Sequence, residues 1–411
     1  MPKMWLRYGV SPDKTLVSIE DVPSGKTQLR CPYCDGELTA KKGRRKEHHF
    51  AHTNETCREV DRDSRSVPYL PLYDNFNIWL TGKELQQLKD LWNRYRIKDK
   101  GIHESLVPKI LIKEKLLERN TYRYGGEYQF TKLGKIPVGA LSLLLFNQVQ
   151  EPMLLEKLQQ LENLAQTAYL ENSPLFNQQL RDLQIYRAEF RKILANTLYY
   201  LQVDTGETTI YKIGVTQRNL SERLVEIERD LRSHFQSFSV KVLGEWPHRG
   251  NVEKYFKHRY SFFQTKIGDL TEYFAFPDKE AKTVLRDLRR MEPKSLSKIE
   301  VGILAGEPSQ TENLIAEREL ANRRSQAIKT GMERAKNWGQ HVGRPPVGES
   351  ALEFLAKPSS QKVIQALSQG LSLRSSAEQA GVAVNTVRKV QKCIKTENPQ
   401  NSRLINTEFI T

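Results

Sequence analysis

The chain has 411 residues, more than one hydrophobic core usually serves, so its length predicts about two to four domains. Lys and Arg number 64 against 49 Asp and Glu, and this surplus of +15 favours a polyanionic partner such as nucleic acid. No apolar run approaches the roughly 18 residues of a membrane helix and the start lacks a signal peptide's apolar core, so we expect a cytoplasmic protein with no membrane partner.

The first predicted unit, residues 1–65, contains three of the four cysteines. Cys31 and Cys34 have the two-residue spacing that lets two thiolates on one turn bind zinc, and four residues separate His52 from Cys57. The preferred zinc ligands are Cys31, Cys34, His52 and Cys57, with His49 as the alternative. Because four protein ligands leave no open coordination position, we expect this zinc to be structural.

The remaining cysteine, Cys393, lies far along the chain, so the cysteines predict a metal site and not a disulfide framework. The run Cys31-Pro-Tyr-Cys34, followed by His49-Phe-Ala-His52, resembles the N-terminal region of competence-type nuclease-like proteins. That resemblance adds support for zinc in this small unit.

Residues 66–195 have a mostly helical pattern, with leucines at helical spacing. A predicted helix from Leu106 to Asn120 is followed by two alternating segments around Gly125-Gly126, which predict a hairpin. This order resembles the recognition helix and wing of a winged-helix domain. The alternative is an ordinary hairpin packed on helices.

The segment 196–291 begins with two strand-like runs, Leu198–Val203 and Thr209–Val215, joined by turn-forming residues, so a hairpin is predicted. Side chains alternate between the two faces of a strand. We therefore expect Tyr200 and Lys212 to leave the apolar face of their strands and to converge on one side.

Two helices and a closing strand follow this hairpin. The first helix, Asn219 to His234, has an apolar stripe with Arg223 at its edge. The second is predicted to begin at Asn251, which places Glu253 in its first turn. The closing strand is Glu272-Tyr-Phe-Ala-Phe276.

This order of elements resembles the GIY-YIG nuclease superfamily, in particular the phage-type branch whose second signature is Lys-Ile-Gly, here Lys212-Ile213-Gly214. The resemblance implies a small antiparallel-sheet nuclease domain that hydrolyses phosphodiester bonds with one Mg²⁺. It implies that Tyr200 helps to deprotonate the attacking water, that Arg223 stabilises the transition state, and that Glu253 holds the metal. These residue types suit that chemistry, because guanidinium binds phosphate and Mg²⁺ prefers carboxylate oxygen.

Two positions depart from the superfamily's pattern. Lys212 stands where many members have the second tyrosine, and we expect it to orient water or phosphate. The first signature, Leu198-Tyr199-Tyr200, lacks its glycine, so Tyr199 is the alternative to Tyr200 as the catalytic tyrosine.

Residues 292–311 predict a linker, and residues 312–346 a long basic helix that ends in the arm Gly343-Arg-Pro-Pro346. This segment resembles the helix and Gly-Arg-Pro arm that precede the DNA-binding domain of serine resolvases and invertases. The basic residues expected to contact DNA are Arg323, Arg324 and, in the minor groove, Arg344. The resemblance also implies a homodimer or higher oligomer through the long helix.

Residues 347–396 predict three short helices, Ser359–Gly370, Leu373–Ala380 and Val384–Lys395, the pattern of a helix-turn-helix domain. The last is the predicted recognition helix. Its expected DNA contacts are Asn385, Thr386, Arg388 and Lys389. The polar residues 397–411 predict a disordered tail.

The predicted fold class is therefore α+β and multidomain. The predicted parts are a zinc unit, a mostly helical middle region for which a winged-helix domain is one alternative, a nuclease domain, and a long helix with a helix-turn-helix tail. We expect a site-specific DNA endonuclease of a mobile-element or homing type, which acts on double-stranded DNA with structural Zn²⁺ and catalytic Mg²⁺. The alternative is a DNA-binding regulator or architectural protein whose nuclease fold has lost activity. The departures at Lys212 and at the first signature keep that alternative open.

Overall fold

The structure, a computed structural model, describes residues 6–43, 47–58, 60, 68–73, 75–96, 101–120, 127–340, 342 and 350–397. Its fold is α+β with antiparallel sheets, and it divides into two compact units, one ending at Glu317 and the other beginning at Arg318. Within the described ranges, no helix has both the length and the apolar character of a membrane span. The predicted arm at Arg344, the turn at Gly125-Gly126 and the tail beyond residue 397 lie outside the described residues.

A five-stranded antiparallel sheet forms the N-terminal part, in the order β2-β1-β3-β4-β5. Its strands are β1 (Tyr8–Val10), β2 (Leu16–Ser18), β3 (Gly25–Arg30), β4 (Glu37–Lys41) and β5 (His49–His52). Because side chains alternate along β4, Leu38 and Ala40 are buried against Phe50, whereas Glu37 and Lys41 are exposed. The sheet thus has its own small core.

The next part combines two helices with a two-stranded hairpin. Its elements are α1 (Gly82–Tyr95), α2 (Lys109–Lys113), β6 (Leu117–Arg119) and β7 (Tyr128–Phe130). A capping box between Thr81 and Glu84 starts α1. The single helix predicted over Leu106–Asn120 is wrong, because Lys115 adopts a left-handed φ of 56° after α2 and the chain then enters β6.

Two long helices follow, α3 (Leu143–Leu170) and α4 (Phe176–Ala195). They pack through Leu158 and Leu161 of α3 and through Tyr186 and Phe190 of α4. The Tyr186 hydroxyl donates a hydrogen bond of 2.7 Å to the Leu154 carbonyl, which satisfies the one polar atom of this buried side chain.

A second five-stranded antiparallel sheet has the order β10-β8-β9-β12-β11. Its strands are β8 (Thr197–Asp204), β9 (Thr209–Thr216), β10 (Ser239–Trp246), β11 (Gln264–Ile267) and β12 (Leu270–Phe274). Three helices accompany them: α5 (Leu220–Arg232), α6 (Val252–Arg259) and α7 (Asp278–Arg289). One face packs on α5 and the other on α6 and α7. The central strands β8 and β9 are therefore buried on both sides.

One face of this sheet shares a hydrophobic core with residues that precede the sheet in the sequence. Phe146 of α3 stacks on Tyr255 of α6 with 4.0 Å between ring centroids. The Tyr255 hydroxyl donates to the Leu141 carbonyl at 2.9 Å and accepts from the Leu141 amide at 3.1 Å. Residues that the sequence predicts as two domains, 66–195 and 196–291, thus contribute to a common core.

A helix, α8 (Lys298–Ala305), occupies much of the segment predicted as a linker, and α9 (Gln310–Asn337) follows it. The capping box of Ser297 and Glu300 starts α8, and Gly306, with a left-handed φ of 78°, ends it. Buried Lys294 forms an ion pair with Glu300 at 2.9 Å. The linker prediction is wrong over α8, since the helix is too short for apolar periodicity to reveal it.

The second unit contains a small helical core. Its helices are α10 (Ala351–Ala356), α11 (Pro358–Ser368), α12 (Leu373–Ala380) and α13 (Val384–Glu397). The last three lie close to the predicted helices, and α10 was not predicted. Phe354, Val363 and Val390 meet in this core. Gly381 ends α12 with a φ of 63°, which lets the chain turn directly into α13.

Candidate functional site

A group of three cysteines and one histidine lies at the end of the N-terminal sheet: Cys31, Cys34, His52 and Cys57. Their ligand atoms all lie within 4.8 Å of one another. The Cys31 and Cys57 Sγ atoms are 3.9 Å apart, and Cys34 Sγ is 3.3 Å from His52 Nε2. Zinc bonds of about 2.0–2.3 Å in a tetrahedron give separations of roughly 3.4–3.8 Å, so this Cys3His cluster fits a structural zinc.

The loop from Cys31 to Gly36 folds so that its ligands converge. The Cys31 amide donates to the Gly36 carbonyl at 2.8 Å, and the Asp35 amide donates to the Cys31 carbonyl at 3.0 Å. A Cβ at Gly36 would lie 3.2 Å from Cys34 Sγ and 3.3 Å from a His52 ring carbon. The backbone thus comes close to two ligands where glycine leaves them room.

His49 does not belong to this cluster. It lies three residues before His52 on β5, and side chains at that spacing point to opposite faces of a strand. Its Nδ1 is 2.8 Å from the Glu47 carbonyl oxygen instead. The alternative ligand set with His49 is therefore wrong.

The zinc loop is fixed to α4 through Tyr33, which stands between Cys31 and Cys34. The Tyr33 hydroxyl donates a hydrogen bond of 2.7 Å to Asp182 of α4. Tyr8 of β1 is hydrogen-bonded to Glu189 of the same helix. The N-terminal sheet is thereby bound to the helix that leads into β8.

The two adjacent tyrosines of β8 face opposite sides of the central sheet. The register of β8 and β9 places Tyr199 opposite Gly214, Tyr200 opposite Ile213, and Leu201 opposite Lys212. Directly opposed residues share a face. Lys212 therefore shares a face with Leu201, and with Tyr199 two residues before it on β8. The predicted convergence of Tyr200 and Lys212 is wrong, because alternation within each strand does not determine the register between strands.

Tyr200 is a core residue. Its ring stacks on Tyr211 at a centroid distance of 5.7 Å and contacts Phe256 at 5.9 Å. Burial raises the pKa of its phenol far above the ordinary value. Its hydroxyl has no hydrogen-bond partner among the described residues.

Tyr199 is placed against Arg223. The two side chains are hydrogen-bonded, and Arg223 also donates to Glu226 at 2.5 Å. Burial raises the pKa of the Tyr199 phenol, and the hydrogen bond and charge of Arg223 act in the opposite direction. A Cβ at Gly214 would overlap the Tyr199 hydroxyl, so the glycine of the Lys-Ile-Gly run makes room for this tyrosine.

Four charged side chains form a chain of ion pairs beside Tyr199: Lys212, Glu272, Lys257 and Glu253. Lys212 Nζ is 2.8 Å from Glu272 Oε2. Lys257 Nζ is 3.0 Å from Glu272 Oε1 and 2.9 Å from Glu253 Oε1. Lys212 also lies over the Tyr273 ring, 4.7 Å from its centroid.

Attraction between opposite charges dominates the electrostatics of these four side chains. Burial disfavours a charged Glu272, but the two ammonium groups of Lys212 and Lys257 outweigh that effect and lower the pKa of Glu272 to about 2. Burial likewise opposes the charge on Lys257, and the two glutamates raise its pKa nonetheless. Glu272 and Lys257 are thus both held ionised near neutral pH.

Lys257 and Glu272 were not among the predicted site residues. Lys257 stands four residues after Glu253 on α6, and side chains at that spacing meet on a helix. This ion pair could therefore have been predicted from the sequence. Glu272 reaches Lys212 because β12 pairs with β9, and no local pattern reveals that pairing.

Two family models match parts of the chain. Residues 196–289 match the T5orf172 domain. Residues 15–59 match the N-terminal domain of competence protein CoiA. No curated protein and no solved structure matches the chain.

The two matches coincide with the two clusters. The CoiA match includes all four cysteine and histidine ligands, which confirms the resemblance inferred from the Cys-Pro-Tyr-Cys run. The T5orf172 match extends from β8 to α7 and includes both Tyr199 and Glu272. Together the CoiA and T5orf172 domains suggest a DNA-processing or nuclease-type role.

Beyond the T5orf172 domain, the second unit presents basic and polar residues to solvent. Arg323 and Arg324 are exposed on α9. On α13, Asn385, Arg388 and Lys389 are exposed, and Thr386 is half-buried. Lys389 Nζ lies 4.1 Å from the centroid of the Phe354 ring, so this lysine is also attached to the helical core.

Proposed function

We propose that this protein is a site-specific endonuclease that hydrolyses phosphodiester bonds of double-stranded DNA in its T5orf172 domain, with chemistry of the GIY-YIG type. The observation that carries the proposal is the convergence of Tyr199, Lys212 and Arg223 on one side of the central sheet, with Lys212 linked to Glu253 through Glu272 and Lys257. A phenol, two cations and a carboxylate can orient water, stabilise negative charge and bind a metal ion, which are the tasks of phosphodiester hydrolysis.

Tyr199, and not Tyr200, is the proposed catalytic tyrosine. Burial keeps its phenol protonated near neutral pH, so it acts as a hydrogen-bonding group that orients the attacking water. Arg223 and Lys212 supply positive charge to the phosphate, and guanidinium in particular offers paired donors to phosphate oxygens. Removal of such a stabilising group typically lowers the rate by ~10²–10³.

Glu253 is the proposed residue that holds Mg²⁺. The donor chemistry fits, because Glu253 and Glu272 already share one cation, the Lys257 ammonium. Mg²⁺ is usually bound by one or two carboxylates together with substrate phosphate oxygens. When bound, the ion supplies Lewis-acid stabilisation of the charge on those oxygens.

The second unit is proposed to bind double-stranded DNA in the manner of a resolvase tail. Support comes from the exposed Asn385, Arg388 and Lys389 on α13 and from the exposed arginines of α9. Thr386 and Arg344 remain predicted contacts, as does a homodimer or higher oligomer formed through the long helix. The CoiA-like unit is proposed to be structural, since a zinc ion bound by its four cysteine and histidine side chains would have no open coordination position.

A cleavage assay tests the proposal. Purified protein is incubated with supercoiled plasmid and with a plasmid library of random inserts, in Mg²⁺ or in EDTA. We expect Mg²⁺-dependent nicking or linearisation that is lost in Tyr199→Phe, Arg223→Ala and Glu253→Ala but retained in Tyr200→Phe. Cleavage that persists in all four variants would point to a contaminating nuclease. Salt-dependent DNA binding without any cleavage would instead favour the DNA-binding regulator.

A further inference from the structure

We propose that Glu272 is a positioning residue of the nuclease site, which holds the Lys212 ammonium with one carboxylate oxygen and the Lys257–Glu253 pair with the other. This inference rests on the proposed function and assigns a further residue to the same site. The carboxylate is the one group of the ion-pair chain that contacts both lysines.

The geometry of Glu272 uses both of its oxygens. Oε2 accepts from Lys212 at 2.8 Å and Oε1 accepts from Lys257 at 3.0 Å. A carboxylate bound to a different ammonium on each side is restrained against rotation about its terminal bond. Its position therefore determines the position of both lysines.

Lys212 depends on this contact more than an exposed lysine would. Only 6% of its side chain is exposed, and a buried ammonium requires an opposite charge to compensate for the water that it has lost. The Tyr273 ring lies below the ammonium, and Glu272 provides the opposite charge. Without that carboxylate, Lys212 would no longer be fixed on the face that it shares with Tyr199.

Glu272 also affects Glu253, through Lys257. In the structure the Lys257 ammonium is shared between two carboxylates. If Glu272 is removed, Lys257 pairs with Glu253 alone and neutralises it more completely. Glu272 thus keeps the charge of Glu253 available for a cation at the reaction site.

Substitution of Glu272 by glutamine preserves the side chain's shape and removes its charge. We expect the single-turnover cleavage rate of Glu272→Gln at saturating DNA to fall about 10- to 100-fold, the range that small displacements of reacting groups produce. The DNA concentration at half-maximal rate is expected to stay within about twofold, because the groups displaced act in the chemical step.

Glu228→Gln is the matched control. Glu228 lies in the same domain, forms an ion pair with Arg232, and is 41% exposed at its side chain, against 43% for Glu272. We expect this control to cleave at the wild-type rate. Melting temperatures of both variants identify any loss of folding. In a Lys212→Met background, Glu272→Gln should slow cleavage less than it does in the wild-type background, because only its effect through Lys257 remains.

The outcomes separate this inference from the proposed function. Wild-type protein that cleaves no DNA overturns both. Wild-type cleavage together with wild-type rates in a folded Glu272→Gln overturns the positioning role alone. An equal loss in Glu228→Gln, or a loss that appears only as weaker DNA binding, also counts against the positioning role.

Discussion

Tyr199 and Tyr200 are neighbours in the chain, yet their hydroxyl groups lie on opposite sides of the central sheet. The Tyr199 hydroxyl is hydrogen-bonded to Arg223, whereas the Tyr200 hydroxyl has no partner among the described residues and lies in the core. The same substitution at the two positions removes one oxygen atom from each and tests two different roles.

The first prediction compares Tyr199→Phe with Tyr200→Phe. We expect Tyr199→Phe to slow single-turnover cleavage by about 10²-fold, as expected when a group that orients or deprotonates water is lost. Tyr200→Phe should cleave at the wild-type rate and be as stable or slightly more stable, because it removes a buried hydroxyl without a hydrogen bond. A larger loss in Tyr200→Phe would return the catalytic role to Tyr200.

The second prediction concerns the close approach of Gly214 and Tyr199. In Gly214→Ala the new methyl group overlaps the tyrosine ring, which is held between buried neighbours. We expect a loss of about 1–3 kcal/mol in the free energy of unfolding, the usual cost of overpacking, measured by denaturant titration. Gly82→Ala in α1 is the control, since a Cβ there meets no atom within 4 Å. Equal stability of the two variants would contradict the close packing at Gly214.

The third prediction concerns zinc. We expect wild-type protein to contain about one zinc ion per chain by elemental analysis, the number that one tetrahedral site takes. Cys57→Ser and His52→Ala should lower the zinc content and the melting temperature, whereas His49→Ala should change neither. Loss of zinc in His49→Ala with retention in His52→Ala would reverse the ligand assignment.

The fourth prediction concerns acid stability. The pKa of Glu272 is about 2 in the folded protein against an ordinary 4.5, so its ion pairs stabilise the fold above pH 4.5 and lose that effect as the pH falls toward 2. The difference in melting temperature between wild-type protein and Glu272→Gln should therefore be largest near neutral pH and shrink below pH 4.5. A difference that is constant from pH 7 to 3 would show that the Lys212 and Lys257 contacts do not depend on the charge of Glu272.

Local sequence patterns predicted the zinc cluster better than the charged cluster. The ligands of the zinc site follow from short spacings, Cys31 to Cys34 and His52 to Cys57, which constrain geometry directly. The charged cluster depends on the register of β8 with β9 and on the pairing of β12 with β9. Strand alternation alone leaves both undetermined, so the sequence pattern favours Tyr200 and does not reveal the contact of Glu272 with Lys212.

The last prediction concerns DNA binding by the second unit. Arg388 is exposed on α13, and a contact from it to a phosphate would release about one counterion. We expect Arg388→Ala to weaken DNA binding and to reduce the slope of log affinity against log salt by about 1. Lys362→Ala is the control, because Lys362 is equally basic and exposed but lies on α11. If both variants weaken binding equally, the interaction follows the net charge of the unit, and α13 has no special part in it.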